Sequence, residues 1–215
     1  MATVVSPPEQ RVVLDKITWD LYEQLLATHR DRSVPRFTYD RGRLEIMSPS
    51  AEHEELKHMV ALFVEVIAEE MNINVRGLGS TTFRREDLQR GFEPDACFYV
   101  QSVTRIRGKT ELDLTIDPPP DMVIEVDLTS PSLEKFSIFA QLGVPEVWRY
   151  DGRQWQILQL VGEEYVKQVQ SPALPGVTAE VLTNLLAESR SLDRLLWLRR
   201  VRTWVHEQRT GEVPS

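Results

Sequence analysis

The sequence predicts an α/β protein, a mixed β-sheet flanked by helices, and three observations carry that expectation. Two short apolar segments, 93–100 and 120–128, are rich in β-branched and aromatic residues and are bounded by Pro or a Gly-containing turn, as strands are. Leu56, Met59, Val60, Phe63, Ile67 and Met71 recur at helical spacing, which predicts a long amphipathic helix over 51–71. Asp151-Gly152 separates two strand-like segments, 146–150 and 155–161, a strong hairpin signal.

Taken in order, residues 1–11 are polar and Pro-containing and are expected to fray. Thr18 can cap a helix carrying Trp19, Leu21, Tyr22, Leu25 and Leu26. Phe37–Tyr39 and Arg43–Met47 alternate about Asp40-Arg41-Gly42, a short hairpin signal. Ser48-Pro49-Ser50 opens the helix over 51–71, on which His53 points inward, Glu52 lies at the edge of that face and Glu54 points away. Residues 74–84 read as one strand, with Gly77 and Gly79 marking a bulge or a close approach. A charged turn, 84–90, leads into the first acidic strand, and a long polar connection, 102–119, leads to the second. Arg105, Arg107 and Lys109 in that connection could meet phosphate or simply form a solvated face. Ser130-Pro131 or Ser132 caps a helix that Gly143 ends. Residues 165–170 continue the strand pattern, and the chain is helical from Thr178, with Leu182, Leu185, Leu186, Leu192, Leu195, Leu196, Leu198, Val201 and Trp204 facing a core. Six arginines between 190 and 209 (Arg190, Arg194, Arg199, Arg200, Arg202, Arg209) against Asp193 and Glu207 form a local basic excess that could track a nucleic-acid backbone. The expected division is an N-terminal segment 1–14, a main domain 15–176 and a helical extension 177–215.

Composition narrows the class. At 215 residues, with 41% hydrophobic and 27% charged residues, the chain is an ordinary globular one with room for a substantial core. Its longest apolar runs fall far short of a membrane span, and no basic segment followed by an apolar one marks a secretory signal. The single cysteine, Cys97, cannot form an internal disulfide and reads as a buried structural thiol, which fits a reducing cytoplasm. No Gly-rich phosphate loop is present, and the histidines lack zinc spacing. The net charge of −8 opposes a nucleic-acid role unless basic groups are concentrated locally or charge is borrowed from a metal.

The chemistry-bearing residues are those that break the apolar pattern. Asp95 and Glu125 lie in strands where a charge is costly unless a partner or a metal compensates it. Two carboxylates at the ends of neighbouring strands make a hard-oxygen site of the kind Mg²⁺ prefers. Asp127 shares the face of Glu125 by period-two alternation, as a third ligand or as a partner for Lys135. Lys135 sits at a helix start, where the dipole slightly disfavours a cation, an unfavourable placement that favours a specific role. Trp148, Tyr150 and Trp155 read as core or dimer surface.

The ordered set Pro94-Asp95, Glu125-Val126-Asp127, Thr129-Ser130-Pro131-Ser132 with Lys135, and Gly143-Val144-Pro145-Glu146-Val147-Trp148, together with Ser48–His53 upstream, resembles the restriction endonuclease-like family of the PD-(D/E)xK nuclease superfamily. The resemblance covers most of 15–160 and implies a restriction-endonuclease-like core. It also implies Mg²⁺-dependent hydrolysis of phosphodiester bonds in DNA, with Mn²⁺ as a substitute; a homodimer is the expected assembly. Asp95, Glu125 and Asp127 would be the metal residues, with the Val126 carbonyl a further ligand. Lys135 would orient or deprotonate water, and His53 would stand beside the scissile group as a proton carrier or orienting residue. Glu52 is a weaker candidate for the acid such nucleases carry on the first helix. The pattern departs at one point: a Lys belongs two residues after the second acid, and here that position is Asp127, leaving Lys135 to serve from the next helix. A catalytically inactive module that keeps this fold for binding or dimerisation is the rival expectation, and a hydrolase of a small phosphodiester is the third.

Overall fold

The computed structural model describes residues 9–30, 32, 34–128 and 134–210. In chain order its elements are β1 (Gln10–Leu14), α1 (Trp19–Thr28), β2 (Arg36–Asp40), β3 (Arg43–Ser48), α2 (Ala51–Glu70), β4 (Arg76–Gly77), β5 (Phe83–Arg85), β6 (Arg90–Phe92), β7 (Ala96–Tyr99), a 3-10 turn (Val103–Ile106), β8 (Met122–Val126), α3 (Lys135–Gln141), β9 (Glu146–Tyr150), β10 (Trp155–Val161), β11 (Glu164–Gln168), α4 (Ala179–Glu188) and α5 (Arg194–Thr210).

The strands form two sheets. The larger is mixed, in the order β11-β10-β9-β8-β7-β4, and its one parallel pair is β8–β9. A parallel pair needs a crossover, and α3 supplies it. The smaller sheet is antiparallel, in the order β1-β3-β2-β6-β5. The α/β class with a mixed sheet holds, and the hairpin expected at 37–47 is β2–β3, the pair around which an unexpected second, antiparallel sheet is built. Residues 74–84 are not one strand: β4 pairs with β7 in the larger sheet and β5 with β6 in the smaller. The chain changes sheets between them, through Gly79 at φ 59°, a left-handed conformation that glycine adopts without strain.

Local chemistry sets the boundaries. Thr18 Oγ1 accepts the Leu21 amide at 3.3 Å, Ser50 Oγ the His53 amide at 3.2 Å and Thr178 Oγ1 the Val181 amide at 3.2 Å, each satisfying a free donor at a helix start. Arg41 and Gly42 take φ 47° and 92°, the two left-handed residues that a tight hairpin between β2 and β3 requires. Gly143, at φ 77°, ends α3: its amide donates to Ala140 O and the Val144 amide to Phe139 O, both at 3.0 Å. The proposed cap at Ser130–Ser132 lies outside the described residues.

Strand β8 is buried throughout and splits its side chains between two cores. Met122, Ile124 and Val126 join Phe63, Ile67, Trp148, Leu185 and Trp197 on the face covered by α2, α4 and α5. Val123 joins Phe92, Cys97, Phe139 and Val147 on the other face. A third cluster, Trp19, Tyr22, Phe37, Tyr39 and Leu44, fills the space between α1 and the smaller sheet. Trp148 and Trp155 are core, as expected, and Tyr150 packs against them. The helices past residue 177 supply part of the main core, and β1 is hydrogen-bonded to β3 inside what the sequence reads as a loose N-terminal segment. Leu192, Leu195 and Leu196, expected to face a core, are 37%, 70% and 49% exposed, because α5 turns Trp197, Val201, Trp204 and Val205 inward instead. Among the described residues, no helix is long and apolar enough to cross a membrane.

Candidate active site

The β7–β8 ladder aligns the two acids. Ala96 pairs with Ile124, so one further step in the register sets Asp95 across from Glu125. The ladder stops there because Asp95 Oδ2 accepts the Val126 amide at 2.6 Å. Both carboxylates are sealed, at 1% and 2% exposure. Burial at that depth demands compensation, and each acid meets a cation. Lys135, at the first position of α3, donates to Glu125 Oε2 at 2.7 Å. Arg36, at the head of β2, brings NH1 onto Asp95 Oδ1 and donates from NH2 to Glu54 at the start of α2.

His53 closes the ring. Its Nε2 lies 2.8 Å from Asp95 Oδ1 and its Nδ1 lies 2.8 Å from Glu9 Oε2, with Arg36 NH1 3.3 Å from Nε2. The Ser50 cap fixes the helix turn on which the imidazole stands. Beyond it, Arg11 Nε donates to Glu9 at 2.7 Å and Arg11 NH1 to Glu45 at 3.3 Å. Asp127 is held by Arg149 Nε at 2.7 Å, with Arg11 NH2 3.9 Å away. Alternating charges from both sheets, α2 and α3 thus converge on one buried cluster.

The electrostatics are unequal. Burial pushes the Glu125 carboxyl above the ordinary range; the Lys135 ammonium opposes this, the Asp127 charge adds to it and Arg36 opposes it again. Burial also draws the Arg36 guanidinium down, with Glu54 and then Glu125 holding it up. Three buried atoms of the cluster have no hydrogen-bond partner among the described residues: the acceptor Glu125 Oε1 and the donors Arg36 Nε and Arg11 NH2.

Four sequence candidates, Asp95, Glu125, Lys135 and His53, are therefore brought together. Asp127 lies beside them but pairs with Arg149 rather than Lys135. Among the described residues, no three His, Cys, Asp or Glu side chains group as a metal cluster would, so Asp127 does not complete a three-acid set with Asp95 and Glu125. Glu54 does not point away; it reaches Arg36 and, at 3.3 Å, Lys57. Glu52 is exposed and pairs with Arg190 at 3.3 Å, outside the cluster. Lys109 is committed to Asp117, and Arg76 ties the loop by donating to the Ile106 and Lys109 carbonyls at 2.5 and 2.7 Å. On α5, Arg202 pairs with Glu69 and Glu70 at 3.3 and 2.8 Å and Arg200 with Glu188 at 3.4 Å, so the arginine excess largely neutralises neighbouring helices. Sequence reasoning missed Arg36, Glu9, Arg11, Glu45 and Arg149. For Arg36 the signal was present: it is a charge heading the strand Arg-Phe-Thr-Tyr, the same anomaly that marks Asp95 and Glu125.

The oxygen set suits Mg²⁺ in chemistry. Asp95 and Glu125 offer hard donors, Glu125 Oε1 is an orphaned buried acceptor, and a cation that keeps several waters needs only one or two carboxylates.

Comparison with known proteins gives two likenesses. A family model described as "Uma2: Putative restriction endonuclease" matches residues 19–192. A crystal structure from Anabaena variabilis, described as a "putative nuclease belonging to DUF820", is similar with a TM-score of 0.53 and 16% identity, covering 79% of this chain and 99% of that one, a likeness of fold. No curated protein matches the chain significantly.

Proposed function

The chain belongs to the Uma2 family of restriction endonuclease-like proteins, and on that premise we propose that it is a Mg²⁺-dependent nuclease hydrolysing phosphodiester bonds in DNA. One observation carries the reading: two buried carboxylates stand opposite each other on adjoining strands, and one of them, Glu125, has an orphaned oxygen and meets a lysine from the crossover helix.

Asp95 and Glu125 would hold the ion, which supplies Lewis-acid polarisation of the phosphate and a lowered pKa for water when bound. Asp127 is an outer acid in this reading, steadied by Arg149. Lys135, released from Glu125 Oε2, would place its ammonium against the charge growing on the phosphate, or, after giving up a proton to solvent, take the proton of the attacking water as a neutral amine. His53 is sealed at 0% exposure between Glu9 and Asp95, so its part is to fix the Asp95 carboxylate rather than to exchange protons with solvent. The inferred assembly is a homodimer, with the exposed Leu192, Leu195 and Leu196 as apolar surface, and sedimentation at micromolar concentration is its test.

The deciding experiment is cleavage of plasmid and single-stranded DNA with Mn²⁺ beside an Asp95→Ala control. Nicking that the control lacks supports the reading; equal products from both overturn it. One observation favours the rival, a non-catalytic module: Asp95, Glu125 and Asp127 each already face a basic side chain, as in a structural ion network. Mn²⁺ calorimetry separates the two, since a structural network has no reason to bind the ion.

A further inference from the structure

Arg36 has no counterpart in the motifs read from the sequence, yet it is the most deeply buried basic side chain among Arg36, Lys135, Arg11 and Arg149. It is 3% exposed and bridges two acids of opposite situation. NH1 meets Asp95, itself 1% exposed, while NH2 meets Glu54, whose side chain is 42% exposed. Asp95 Oδ1 is met by Arg36 NH1 and lies 2.8 Å from His53 Nε2. The guanidinium is incompletely seated, because its Nε finds no acceptor among the described residues. Its field also reaches Glu125, whose carboxyl it helps to hold in the charged form.

Buried charge must balance. With Arg36 and Lys135 in place, Asp95 and Glu125 are already neutralised by protein cations. A divalent ion added to that set would stand against a guanidinium in a poorly screened site, where like charges repel strongly. The side chain is already linked to an outer carboxylate that can take all of it.

We propose that Arg36 is an exchangeable counter-cation of the Asp95–Glu125 pair: it occupies Asp95 in the metal-free protein and withdraws to Glu54 when a divalent cation is held. This rests on the metal-dependent reading of the site. Arg36 and the metal then compete for the inner carboxylate, and Glu54 sets the balance by stabilising the withdrawn position. The exchange keeps the buried acids neutralised whether or not metal is bound. It also makes divalent-ion affinity a property tuned from the surface, by a residue that touches neither ligand.

Mn²⁺ calorimetry on the full chain tests this in a double-mutant cycle. Arg36→Met should tighten Mn²⁺ binding by at least about fivefold, the low end of typical coupling between sites. Glu54→Gln should weaken it by a similar factor in the wild-type background and leave it unchanged in the Arg36→Met background. If Arg36→Met does not fold, Arg36→Lys serves the same cycle, because one ammonium cannot bridge both acids as the guanidinium does; Glu54→Gln should again have no effect there. Equal weakening by Glu54→Gln in both backgrounds overturns the exchange in favour of general charge attraction. Mn²⁺ affinity unaltered by Arg36→Met overturns it while leaving the metal reading standing. Absence of Mn²⁺ binding in all variants and the wild type overturns the metal reading and this inference together.

Discussion

The Val126 amide donates to Asp95 Oδ2 at 2.6 Å, so a side-chain carboxylate stands where the next backbone acceptor of the β7–β8 ladder would be. The contact that ends the sheet is the same one that holds the first acid, and the two roles cannot be mutated apart without consequence.

Asp95→Asn should therefore lose Mn²⁺ binding and also lose stability. Its amide keeps one oxygen for Val126 but turns an N–H₂ toward Arg36 and His53. Breaking a buried charge pair in this way costs about 3 kcal/mol or more. Urea melts in metal-free buffer check the stability, and calorimetry the binding. A variant as stable as wild type would show that the Arg36 contact contributes nothing.

Lys135→Ala should lower any Mn²⁺-dependent cleavage by about 10²-fold or more. It also leaves Glu125 without a partner on either oxygen, since Oε1 is already orphaned. Adding Glu125→Gln to Lys135→Ala should recover part of the lost stability but none of the cleavage. Moving the lysine, as Asp127→Lys with Lys135→Ala, should fail to restore cleavage cleanly, because it abolishes the Arg149 pair of Asp127.

Glu146 provides a pH prediction away from the site. Its carboxylate accepts from Trp148 Nε1 at 2.6 Å, Ser171 Oγ at 2.5 Å and the Ala173 amide at 2.8 Å. Burial nevertheless outweighs these donors and pushes its pKa up. The folded protein then binds this proton more tightly than the unfolded chain does. This group's contribution is complete at low pH and is lost as pH rises from the ordinary glutamate value, about 4.3, through the raised folded value. Glu146→Gln cannot titrate and sets an N–H₂ against one donor, costing about 1–3 kcal/mol. The gap between wild type and variant should narrow as pH climbs through that window, measured by urea melts from about pH 4 to 7. A gap that widens would reverse the sign of the shift.

Gly91→Ala should destabilise the smaller sheet, because its added methyl would overlap the Tyr22 hydroxyl, and Tyr22 is fully buried and stacked on Tyr39 at 4.8 Å. Overpacking of this kind costs about 1–3 kcal/mol. Thermal melts check it; pairing the change with Tyr22→Phe, which deletes the unpartnered hydroxyl, should recover part of the loss.

Reversing Arg199 and Arg202 to Glu tests whether α5 carries nucleic acid. Arg202 is bound to Glu69 and Glu70, so the reversal should loosen the α2–α5 contact by about 1 kcal/mol and leave the salt dependence of DNA binding unchanged. A flatter salt slope in the double variant would place the helix on the binding surface after all.

What could be read from the sequence was what acts within a few residues or breaks a pattern. Thr18, Ser50 and Gly143 could be assigned as caps because a cap bonds inside its own turn. Asp95, Glu125 and His53 stood out because each is polar on an apolar face. The partners of Asp95 and His53 were hidden, because Arg36 and Glu9 reach them through tertiary pairing that no periodicity encodes, as Arg149 reaches Asp127. Glu54 was misplaced for a related reason: helical spacing gives the direction of Cβ, while a long side chain bends back to a buried guanidinium. Leu195 and Leu196 erred the other way, since an apolar residue on a helix need not be buried and the tryptophans of α5 took the inner face.

The change of sheet between β6 and β7 has a mechanical consequence. The chain leaves the larger sheet after β4, makes the β5–β6 hairpin in the smaller one and returns at Asp95. The two passages are stitched together, Ser80 Oγ to the Asp95 carbonyl at 3.1 Å and Thr82 Oγ1 to Glu93 at 2.5 Å. Were the sheets to rock against each other, these crossing strands would be the axle, and points on an axle travel least. Asp95, standing at that crossing, would keep its place opposite Glu125.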